Sequence, residues 1–156
     1  MEPMRRTAAL AVSLAGLVGL GACAKESPPM PSICIDTGRE GYERALAAAP
    51  GDVRLGGDVP ISTCTRRVRT DAELQNLGTI VHGVAEGLAE RARDGDAVAA
   101  LRLGYLVGAV GSGADRSGGI AAELSRRVEN TTTRAAGDPA TDRALARGAH
   151  AGRARG

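Results

Sequence analysis

From Thr70 onward the apolar residues fall into helical register. Leu74, Leu77, Val81, Val84 and Leu88 follow one another at intervals of three and four, with Ile80 widening the stripe. Thr70-Asp71-Ala72-Glu73 has the form of a capping box, a hydroxyl at the N-cap and a carboxylate three residues on. Glu86, Glu90, Arg91 and Arg93 lie off the stripe or at its end. Gly95 is placed to stop this helix and Asp96 to cap the next. That next helix, Ala97 to Val110, is of another kind, because Arg102 is its only charged residue. Val98, Leu101 and Tyr105 make one stripe and Ala99, Leu103, Leu106 and Val110 a second, so the helix is expected to be buried on several sides. Its 14 residues span about 21 Å, too little for a bilayer, which makes it the expected centre of a small bundle. The short turn Asp94-Gly95-Asp96 makes the two helices antiparallel.

Flanking segments carry weaker patterns. Residues 39–49 read as a short helix that ends at Pro50-Gly51-Asp52, and Val53 to Ser62 as irregular or short extended chain. Gly111-Ser112-Gly113 is expected to end the central helix. Ile120, Leu124 and Val128, four apart, predict a third helix over roughly 118–129. Beyond Asn130 the periodicity fails. Residues 131–156, rich in Ala, Gly and Arg, read as a disordered basic tail with a short helical stretch near Ala140–Arg147.

The N-terminus has a different character. Arg5 and Arg6 precede the short apolar run Thr7 to Leu20, followed by Leu20-Gly21-Ala22-Cys23. A charged start, a short apolar core and small residues before a cut site form a secretory signal. The last four residues resemble the lipobox of bacterial lipoproteins. The resemblance covers residues 1–23 and implies cleavage after Ala22, acylation of the Cys23 thiol and a lipid bilayer as partner. Two acyl chains suffice for stable anchorage, at about 0.8 kcal/mol per buried CH₂. The expected location is then the cell membrane or outer membrane, facing the periplasm or the extracellular side. Residues 23–33 would be the tether, stiffened by Pro28, Pro29 and Pro31.

Three cysteines are an awkward number for an exported chain. If Cys23 is acylated, Cys34 and Cys64 remain, and outside the cytoplasm they are expected to form a disulfide. The alternative is a catalytic or metal-binding thiol, without a Cys-x-x-Cys motif to support it.

Composition narrows the partners. Among 156 residues there are 20 basic ones, of which only Lys25 is a lysine, and the only aromatics are Tyr42 and Tyr105. Residues 23–130 carry 13 basic and 15 acidic groups, a net −2, while residues 131–156 carry five Arg against two Asp. Nucleic acid is not an expected partner, since the domain offers neither a basic face nor stacking aromatics. The tail arginines would touch anionic lipid or cell-wall polymer, or simply be solvated.

Catalysis needs a nucleophile with its base, a metal site or paired carboxylates. The two histidines are far apart: His82, off the apolar stripe and expected at the surface, and His150 in the tail. No phosphate loop, His-Glu-x-x-His or Gly-x-Ser-x-Gly sequence occurs. Asp94 and Asp96 suit helix termini better than a calcium loop. No cofactor or metal is expected. Candidate binding residues lie on the central helix: Arg102, either paired with a carboxylate such as Glu123 or open to an anionic ligand, and Gly104 and Gly108. These glycines are expected level with Gly83 and Gly87 of the preceding helix, and serve either close packing or a ligand groove. Gly95-Asp96-Ala97-Val98-Ala99 with Leu103-Gly104-Tyr105-Leu106 is similar to the first helix of tetratricopeptide-like repeats. No second unit follows, so it implies a helical hairpin and no binding residue.

The expected fold class is all-α, a small helical bundle over residues 34–130 with a disulfide-tied N-terminal segment. The expected function is a lipid-anchored, non-enzymatic interaction module for an envelope protein or polymer. The alternative is a small-ligand-binding lipoprotein with its pocket on the central helix.

Overall fold

The computed structural model describes residues 28–156, so the expected leader, Cys23 and the first residues of the expected tether lie outside the described residues. Among the described residues the fold is all-α, with one isolated bridge between Leu55 and Val59. In chain order the helices are α1 (Ile33–Asp36), α2 (Gly38–Leu46), α3 (Ile61–Arg66), α4 (Asp71–Arg93), α5 (Ala97–Ala114), α6 (Ala122–Ala135) and α7 (Pro139–Arg155).

Helix α4 begins as its sequence dictates. The Thr70 hydroxyl accepts the Glu73 amide at 3.2 Å, and the Glu73 carboxylate accepts the Thr70 amide at 3.1 Å. Leu77, Val81, Val84 and Leu88 are buried along one face. The helix stops at Gly95, whose φ of +92° is costly for a residue with a Cβ. The Gly95 amide donates to the Ala92 carbonyl and the Asp96 amide to that of Arg91, the two bonds of a Schellman motif. The Asp96 carboxylate then accepts the amides of Val98 and Ala99 at 2.9 and 3.0 Å and opens α5. Asp96→Ala is expected to cost about 1 kcal/mol, read as a lower urea midpoint with unchanged slope.

Helix α5 is the hub, touching α2, α3, α4, α6 and α7. It is 18 residues long rather than 14, because Gly111 and Gly113 continue it. A Cβ on Gly113 would collide with the Ser62 carbonyl of α3, so the glycine serves close packing and not helix termination. Among the described residues α5 is the one helix long and apolar enough to cross a membrane, with a mean hydropathy of 1.4. Two-thirds of it, 67%, is buried inside the bundle, as a core helix requires.

The N-terminal segment wraps the hub. Cys34 and Cys64 form a disulfide, with their Cα atoms 5.6 Å apart. Tyr42, Leu46, Val53, Leu55 and Ile61 are buried with them, and the Tyr42 hydroxyl donates to the Cys34 carbonyl at 3.1 Å. Burial pushes the Tyr42 phenol well above its usual range, so it stays protonated and keeps donating. The stretch expected to be irregular is helical from Ile61.

Two further expectations are corrected. The third helix starts at Ala122, not near 118, because Gly118 and Gly119 adopt φ of +68° and +97° and hold a turn ahead of it. It runs on to Ala135, with Thr131 and Ala135 continuing the buried face of Leu124 and Val128. The tail expected to be disordered is largely helical: Thr131–Ala135 close α6, and Pro139–Arg155 form α7. Asp138 caps α7 through the amides of Ala140 and Thr141, and Pro139 sits in its first turn, where a missing amide hydrogen costs nothing. The Thr141 hydroxyl and those amides hold the Asp138 carboxyl below its usual range.

Candidate functional site

The crossing of α5 and α7 decides what becomes of the candidate glycines. A Cβ on Gly104 or Gly108 would collide with the Leu145 or Ala149 carbonyl of α7. In return, a Cβ on Gly148 or Gly152 would collide with the Leu101 or Tyr105 carbonyl of α5. The four glycines therefore form two matched Gly-x-x-x-Gly faces through which the backbones touch. Of the two uses considered for Gly104 and Gly108, close packing is the one seen, and the face that the alternative ligand groove would need is covered by α7. Gly83 and Gly87 do not meet it; the Arg39 side chain lies against both, and its Nη2 donates to the Gly83 carbonyl at 3.0 Å.

Arg102 and Glu123 are not paired. Glu123 accepts from Arg127 at 2.8 Å and from Arg126 at 2.8–3.0 Å, both on its own helix, and these bonds, Arg127 first, hold its carboxyl below the usual range. Arg102 is half-buried, and its Nε has no hydrogen-bond partner among the described residues. Cys34 and Cys64 are both consumed by the disulfide.

The concave surface with the most varied chemistry lies between α4 and α6. Leu74, Gly78 and Leu124 give it apolar walls, and Gln75, Thr79, His82, Glu123 and Arg127 line it with polar groups. Its volume is about 650 Å³. The sequence builds it with a small residue: Gly78 has only Leu124 Cδ1 near its Cβ position, at 3.7 Å, which leaves a hollow where a larger side chain would stand. Beyond its lining residues an ion pair joins the two helices. Glu86 of α4 accepts from Arg134 of α6 at 3.0 Å and lies 3.5 Å from His82 Nε2. His82 is thus not simply a solvated residue. It lines the groove beside a carboxylate, and its Nδ1 is buried without a partner among the described residues.

Such a surface suits binding of an extended or helical segment: apolar walls for side chains, an amphoteric rim for orientation. Sequence reasoning missed it because Gly78 sits on the apolar helix as an ordinary gap, and its depth depends on where α6 crosses. Among the described residues no three His, Cys, Asp or Glu side chains come together as a metal-ligand set. No protein-family model matches the chain, and neither a curated protein nor a solved structure matches it.

Proposed function

We propose that this chain is an extracytoplasmic lipoprotein, held in the cell membrane or outer membrane by an acylated Cys23, whose helical domain is a non-enzymatic interaction module for an envelope protein or polymer. The observation that carries the reading is the α4–α6 groove, with apolar walls of Leu74 and Leu124 and a charged rim. The buried Cys34–Cys64 disulfide supports a location outside the reducing cytoplasm. The lipobox-like residues Leu20 to Cys23 supply the anchor and the proline-rich segment the spacer.

Two measurements test the two halves of this reading. Cys23→Ser should move the protein from the detergent phase to the aqueous phase on phase separation; unchanged partition removes the anchor. A photo-crosslinker at exposed Thr79 should capture one defined envelope component, and a crosslinker at Asp94 in the α4–α5 turn should not. Gly78→Trp should abolish that capture by filling the groove. Capture of nothing from Thr79, or capture indifferent to Gly78→Trp, defeats the groove as the docking site.

A further inference from the structure

The ends of α3 and α5 converge at one pole of the bundle. Gly113 lets α3 approach so closely that its Cβ position is 3.1 Å from the Arg66 backbone nitrogen. Arg66 closes α3, Arg67 caps it, and Arg116 follows α5 by two residues. Arg66 Nη2 donates to Thr63 Oγ1 at 3.2 Å and Arg116 Nη2 to Ser112 Oγ at 3.0 Å, so both guanidiniums are held by neutral hydroxyls. The described ion pairs of arginine use Arg44, Arg54, Arg126, Arg127 and Arg134, and none reaches these three. Asp115 lines a separate hollow with Arg126 and Glu129. Partial burial, then the charges of Arg116 and Arg67, lower the pKa of Arg66.

The same pole receives the tether. Cys34 is bonded to Cys64, two residues before Arg66. Ten residues lie between Cys23 and Cys34, a leash of at most about 40 Å at about 3.6 Å per fully extended residue. A leash of that length keeps the arginines close to any surface in which Cys23 is anchored and raises their effective concentration there. Contact must still be made within about 8 Å, the screening length at physiological salt.

We propose that Arg66, Arg67 and Arg116 form a docking face for the anionic phosphate headgroups of the bilayer that carries the tether, so that the domain lies against the membrane. The proposal rests on the reading of Cys23 as the anchor. Guanidinium forks suit phosphate oxygens, and three of them near an anionic surface favour the docked state by about a hundredfold. Docking this pole also fixes the orientation in which the α4–α6 groove is presented.

The test is neutron reflectometry of the lipidated protein, purified from membranes, in supported bilayers. One bilayer is phosphatidylcholine alone and the other contains roughly a third phosphatidylglycerol. The domain should lie against the anionic bilayer and stand off the neutral one, and roughly 0.5 M salt should lift it from the former. R66Q/R67Q/R116Q, with an unchanged circular dichroism spectrum, should stand off both. Equal height on the two lipids, or salt-insensitive height in the unaltered protein, overturns the docking while leaving the anchor intact. A protein that enters neither bilayer overturns the anchor and this proposal together.

Discussion

Gly104→Ala is expected to destabilise the domain by about 2–3 kcal/mol, although alanine is the better helix former by about 1 kcal/mol. The reason is the crossing of α5 and α7. The new methyl would occupy the place of the Leu145 carbonyl, and a backbone cannot step aside as a flexible side chain can. The helices must separate along their length, which strips contact from Tyr105, Ala144 and Leu145 together. Gly148→Ala should cost a similar amount from the opposite helix, because its methyl would meet the Leu101 carbonyl. The double variant should cost less than the sum, since one separation relieves both clashes. Gly87→Ala is the control. Only Arg39 Nη2 lies near its Cβ position, at 3.8 Å, so there the substitution should stabilise, by up to about 1 kcal/mol. Urea unfolding followed by circular dichroism reads all four. A Gly104→Ala protein as stable as the parent would mean that α7 is not held on α5 by backbone contact.

Removing the Cys34–Cys64 bond, by reduction or by Cys34→Ala with Cys64→Ala, should cost about 3–4 kcal/mol. The bond closes a 30-residue separation, and the unfolded chain regains that freedom when it opens. For a domain whose total stability is typically about 5–15 kcal/mol, this is a large share. The loss should fall first on the segment from Cys34 to Cys64. Its buried side chains there are few, Tyr42, Leu46, Val53, Leu55 and Ile61 chief among them. Hydrogen exchange should therefore quicken in α1 to α3 before it does in α4 and α5. A loss below about 1 kcal/mol would show that this segment is secured by its own packing and that the chain-entropy account does not apply.

Much of the bundle is legible in the sequence where side chains carry the signal. Thr70 and Glu73, Asp96, and the stripe from Leu77 to Leu88 specify α4, its end and the start of α5 through local hydrogen bonds and periodic burial. The disulfide follows from two cysteines once the third is assigned elsewhere. The failures share one cause. Helix α7 buries Thr141, Ala144, Leu145, Gly148 and Gly152, a face of mostly small residues that apolar periodicity does not register. Its signals were the cap at Asp138-Pro139 and the Gly148-x-x-x-Gly152 spacing that matches Gly104-x-x-x-Gly108. Without that match the chain from Asn130 looked like a solvated tail.

The sequence by itself determined the helices that announce themselves by capping and by large apolar side chains, because both act over one or two turns. Only the tertiary structure decided which faces meet. Glycines have no side chain to declare a partner, so α7 covered the face of the alternative ligand groove and Gly78 opened a hollow against α6. Glu123 likewise went to its helical neighbours Arg126 and Arg127 rather than to Arg102, since three and four residues along a helix lie closer than a separate element.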